Sequence, residues 1–221
     1  MTSTPRRFLI GAALALTLLV APVSAGQRED ARAGVARALA ALERDDPRTA
    51  RVELMNAIKA DPASREARIV QARVLLMLGN GRGAQDELDR AKQLGAPLGP
   101  MRHLLAHAAL MNGDPEQAIA EASAADADEK ELLFRTRIEA QAYQAMGRYT
   151  EAASAFDRAG AIDSKDSALW ADIARYNVAV GNMAAALAAA DKVLALAPTS
   201  VDALTLKAVL ARDQFGLAES T

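Results

Sequence analysis

A spacing constrains this chain more than any other feature. Gly79, Gly113, Gly147 and Gly181 follow one another at intervals of 34 residues, and one further step back lands on Asp45. Two columns of small residues keep the same interval. Five residues after each of these positions stand Ala50, Ala84, Ala118, Ala152 and Ala186. Seven residues before them stand Ala38, Ala72, Ala106, Ala140 and Ala174, with Ala208 one step further on. Alanine makes up 53 of 221 residues, so a run of eleven alanines at eleven register positions does not come from composition. A fixed period of this length marks an array of stacked units, each too small to bury a core alone.

Each period reads as two helices. Glycine stops the first, because it takes the left-handed backbone conformation at little cost. Asp45 is a workable substitute, since Asp and Asn are the side chains best tolerated there. The second helix restarts at once, as in "GDPEQAIAEA", where Asp114 can cap and Pro115 falls in the first turn. Leu54, Leu88, Ala122, Phe156 and Ala190 form an apolar column, and Ala57, Ala91, Ala125, Ala159 and Val193 a small one. "ADPAS" and "LAPTS" close their units with a proline stop followed by a Ser or Thr cap.

In these respects the chain resembles the tetratricopeptide repeat (TPR) family. The fullest copies are Ala140, Tyr143, Gly147, Ala152, Phe156, Ala159, and Trp170, Ala174, Gly181, Ala186, Pro198. The likeness covers residues 30–215. The third unit departs from it, having Ala122 in place of a large residue and ending in "ADADEKE" without proline. The resemblance implies an all-α fold, a right-handed α-solenoid of about five helix pairs plus a terminal helix. The expected units are 31–64, 65–98, 99–132, 133–166 and 167–200, with a last helix over 200–214. That helix is either a cap or the first half of a truncated sixth unit.

Residues 1–25 stand apart. "MTSTPRRFLIGAALALTLLVAPVSAG" has Arg6 and Arg7, an apolar run from Phe8 to Ala21, and small residues at Val23-Ser24-Ala25. This is the layout of a secretory signal cleaved after Ala25, with an uncleaved anchor as the alternative. An ordinary signal is preferred to a twin-arginine one, because Phe8 directly follows the arginine pair. Removing Arg6 and Arg7 leaves 24 basic and 28 acidic residues, a net charge of −4. A mildly acidic exported chain without cysteine suits the periplasm or secretion, and it excludes disulfides, thiolate metal sites and cysteine nucleophiles.

The family resemblance implies a concave groove lined by the first helices, which holds a peptide or partner protein. Helical spacing says which residues face it: positions ten, six and three before each turn residue share one face. The first unit gives Val35, Leu39 and Leu42, the second Ile69, Arg73 and Leu76, and the third His103, His107 and Leu110. The fourth gives Arg137, Gln141 and Gln144, and the fifth Ala171, Arg175 and Val178. The partner-binding residues expected are Leu39, Ile69, Arg73, His103, His107, Arg137, Gln141 and Arg175. The groove should be apolar at its N-terminal end and polar to basic in its middle, suiting a segment with apolar and acidic groups. The Lys and Asn set that clamps a terminal carboxylate in some family members is absent.

Other chemistry is weaker. His103 and His107 have metal-ligand spacing, but Leu104 stands where a zinc protease has Glu, and no third ligand is evident. "GNGRGAQ" is a turn between helices, without the strand that a dinucleotide motif requires. The acidic run Asp126, Asp128, Glu129, Glu131 reads as a solvated linker, and Trp170 as an inter-unit packing residue. The expectation is a non-catalytic interaction scaffold without cofactor or metal, binding protein rather than nucleic acid or a small-molecule substrate. An accessory subunit of a cell-envelope assembly or exopolysaccharide export system is the alternative.

Overall fold

The computed structural model of the chain describes residues 24–216. The predicted leader over 1–25 lies outside them apart from its last two residues. Eleven α-helices follow in order: α1 (Ala25–Glu43), α2 (Pro47–Ala60), α3 (Arg65–Met77), α4 (Gly81–Gln93), α5 (Arg102–Met111), α6 (Pro115–Ala122), α7 (Leu132–Ala145), α8 (Tyr149–Ile162), α9 (Ser167–Ala179), α10 (Met183–Leu196) and α11 (Val201–Gly216). No strand occurs among the described residues.

The turn chemistry sets these boundaries. Gly79, Gly113, Gly147 and Gly181 have φ between 73° and 80°, and Asp45 takes the same turn at φ 55°. Side-chain oxygens of Asp46, Ser64, Asn80, Asp114, Asp166 and Asn182 accept backbone N–H bonds in the first turns of α2, α3, α4, α6, α9 and α10. Each satisfies a donor that a helix start leaves unpaired.

The helices pack as five antiparallel pairs, α1 with α2 through α9 with α10, and α11 lies against α10. Each first helix also contacts the first helix of the next pair, and each of α2, α4, α6 and α8 contacts the first helix that follows it. The two alanine columns are the crossing points. Ala38, Ala72, Ala106, Ala140 and Ala174 are no more than 1% exposed, and Ala50, Ala84, Ala118, Ala152 and Ala186 are fully buried. Ala208 keeps the register on α11 but is exposed.

The third pair solves its irregularity with charge. α6 stops at Ala122, the earliest end of any second helix. Arg135 of α7, buried at 8% exposure, donates to the Ala122 carbonyl there. Arg135 stands in the register of Met101 and Leu169, both fully buried. A long cation thus fills an apolar column and caps a shortened helix. The acidic run beyond is not simply a solvated linker, which corrects the sequence reading. Asp126 accepts from Arg102 at 2.9 Å, and that bond holds its carboxyl below the usual carboxylate range. Asp128 accepts from the Lys130 N–H, while its own N–H reaches the Gly99 carbonyl.

Candidate functional site

Because α1, α3, α5, α7 and α9 contact one another in succession, they form one face of the array, and the expected groove residues lie along it. They do not lie there equally. Val35 and Leu76 are core, at 3% and 5% exposure, while Leu39 is 37% exposed. Ile69 is half-buried against the cluster around Leu75, Leu88 and Met101. Arg73 is exposed and makes no ion pair among the described residues.

A hollow lies between α3, α5 and α7. It measures about 370 Å³ and is lined by Arg73, Leu76, Met77, His103, Leu104, His107, Glu131 and Phe134. Phe134 is the centre of its aromatic wall. The His103 and His107 rings meet it edge-on, with centroids 5.8 Å and 5.5 Å away. Burial holds both imidazoles below their ordinary range. At His103 the Glu131 and Asp128 carboxylates oppose that shift, while Arg73 and Arg135 add to it. At His107 Arg137 adds to it and Asp172 opposes it. The histidines therefore stand as neutral, half-buried groups beside one exposed cation and one carboxylate.

A second hollow of about 340 Å³ lies between α5, α7 and α9, lined by residues including Gln141, Gln144, Tyr149, Asp172 and Arg175. Here the arginines are ion-paired. Asp172, at 1% exposure, accepts from Arg137 Nε at 2.7 Å and also from Arg175. Arg137 reaches Asp166 as well, at 3.5 Å. The basic middle of the groove is thus largely neutralised from within.

No family model and no curated protein matches the sequence. Solved structures do. TTC0263 of Thermus thermophilus, described as a thermophilic TPR protein, superposes with TM-score 0.66 at 22% identity, over 84% of this chain and 98% of that one. PilW, described as a widely conserved type IV pilus biogenesis factor, gives TM-score 0.65 at 18% identity, over 82% and 84%. YrrB, described as a TPR protein with an unusual peptide-binding site, gives 0.51 at 17%, over 82% and 94%. The chain has the tetratricopeptide-repeat fold.

On the TPR array, then, Arg73, His103 and His107 come together in one hollow, and Gln141 and Arg175 in the next. Leu39 belongs to neither. Phe134 and Asp172 escaped the sequence reading, and Glu131, read there as part of a solvated linker, lines the first hollow. Asp172 carried a signal, since its register holds Leu104 and Ile138 in the two preceding units and an acid there has to be buried. Phe134 had none, because its register holds Pro100 and Ala168 in the neighbouring units. The Trp170 indole N–H donates to the Ser164 carbonyl of the preceding unit at 2.8 Å, across the α8–α9 turn.

Proposed function

We propose that the protein is a non-catalytic scaffold that holds a segment of a partner protein along its first-helix face. The supporting observation is the hollow between α3, α5 and α7, where an aromatic wall, two neutral imidazoles and the exposed Arg73 converge. Such a mixture of apolar surface with a few placed polar groups is what binding sites in general present. Its width suits one bulky side chain of an extended or helical segment, with Arg73 available to an acidic neighbour. Peptides selected by display on the purified chain would test this. Arg73→Glu with His107→Ala should weaken the selected peptides at least tenfold while leaving the melting temperature near native. Unchanged affinity would place the binding face elsewhere.

A second reading is favoured by one comparison. PilW is described as a pilus biogenesis factor, and the apolar N-terminal run suits export. On this reading the scaffold serves as an accessory subunit of an envelope assembly. No helix among the described residues is long and apolar enough to cross a membrane. Recovery of a stable stoichiometric complex from a detergent-treated envelope fraction would support it, and recovery of the protein alone would count against it.

A further inference from the structure

The outward face of α2 differs from that of every other second helix. Arg48, Arg51, Val52, Met55 and Lys59 fall within about 100° of arc at helical spacing, and all five are exposed. Val52 and Met55 are 57% and 55% exposed, unusually open for large apolar side chains in this protein. The three cations make no ion pair among the described residues. The one acid within α2, Glu53, is bound to Arg37 of α1 at 2.7 Å, and the cap residue Asp46 accepts from the Thr49 N–H.

The register of Met55 is polar or acidic in the other units. Met55 corresponds to Asp89 on α4, Ser123 just past the end of α6, Asp157 on α8 and Asp191 on α10, all exposed. At the positions of Arg48, Arg51 and Lys59 this surface in the other units carries one cation, Arg82. On α2 it carries an apolar pair flanked by long cationic side chains. Their alkyl stems can lie on an apolar layer while their heads reach anionic groups beside it. The face points away from α1, and therefore away from the groove.

We propose that this face of α2 docks on the surface of a membrane containing anionic phospholipid, with Val52 and Met55 entering the headgroup boundary and Arg48, Arg51 and Lys59 on the phosphates. Charge complementarity and the apolar pair select this occupant over an acidic protein, for which the cations alone would serve. Net charge cannot drive the association, because the chain as a whole carries −2. Attraction must be local, so the array is oriented with α2 towards the lipid and the groove away from it.

The chain has no cysteine, so a single one can be labelled with an environment-sensitive dye. Met55→Cys would report on this face, and Asp157→Cys on the corresponding face of α8 within the same full chain. Vesicles of phosphatidylglycerol in phosphatidylcholine should blue-shift the dye at position 55 and not at 157, and phosphatidylcholine alone should shift neither. Changing Arg48, Arg51 and Lys59 to Gln in the labelled chain should weaken the response on the order of 100-fold in lipid concentration. Because these side chains are exposed, the circular dichroism melt should stay native. Equal shifts at both positions would assign membrane contact to another part of the chain and overturn the proposal. So would a shift at position 55 with polyglutamate but none with vesicles, or a response that survives the three substitutions.

Discussion

Asp172 shows how one residue can reset a surface. Its carboxylate is buried, so it persists only because Arg137 and Arg175 hold it. Removing one partner of such a set leaves the rest uncompensated, which costs more than the set contributes when intact. Asp172→Ala should therefore destabilise by about 2–4 kcal/mol in urea unfolding. Arg137→Met with Asp172→Leu, restoring the apolar character of Leu104 and Ile138 in that register, should recover most of the loss. If the double variant is no better than the single one, the pair is not what fixes α7 against α9. The histidines give a second test at this scale. Burial lowers their affinity for protons in the folded chain, so the unfolded chain binds more protons below the ordinary imidazole value of about 6.5. The stability they permit is present above that pH and is lost as pH falls through it. Between pH 7.5 and 5, His103→Gln with His107→Gln should lose less stability than the native chain. Parallel curves would exclude the histidines as the source.

At the scale of the helix pair, the small columns decide. Ala152 is fully buried where α8 crosses α7, and Ala208, in the other column, is exposed on α11. Ala152→Leu should cost about 1–3 kcal/mol through overpacking, while Ala208→Leu should change stability by less than about 0.5 kcal/mol. Thermal melts that rank them otherwise would break the assigned register. Asp45 offers a gain instead, since it holds a backbone conformation that glycine takes without a side-chain penalty. Asp45→Gly should raise stability by about 0.5–1 kcal/mol, read as an upward shift in midpoint. Helix starts, turns and crossing points were legible in the sequence because each depends on one residue at a fixed register. Long-range polar pairing was not. The bond from Arg137 to Asp172 joins neighbouring units across 35 positions, and spacing within one helix carries no information about it. The end of α6 was half legible: the missing proline and large residue showed the departure, but not that Arg135 would fill it. At the start of the array, Ser24 and Gln27 form a reciprocal cap on α1, and cleavage after Ala25 would remove the serine half of it.

Over the whole molecule, contacts run between adjacent units, so stability is distributed as in a one-dimensional chain of neighbours. The C-terminal end is open. At the C-terminal end α9, α10 and α11 surround an apolar hollow of about 420 Å³, while Leu204 and Val209 of α11 are 50% and 40% exposed. Amide exchange should accordingly be fastest in α11, slower in α10, and slowest in α3 to α5, where the cluster around Leu75, Leu88 and Met101 is buried. Uniform protection from α3 to α11 would mean that the array opens as a single unit.

The contacts of the first helices also set the mechanics of the array. They touch in succession along one face, whereas the main contacts of the second helices are with first helices. Bending about the inner face therefore separates few packed atoms, and twisting or stretching on the outside loosens clefts rather than a continuous core. An array joined only between neighbouring units can flex at each junction, as a spring does. On the proposed function, a segment held across several units would change the pitch of that spring, and strain taken up at one end of the face would be felt as a change in curvature at the other.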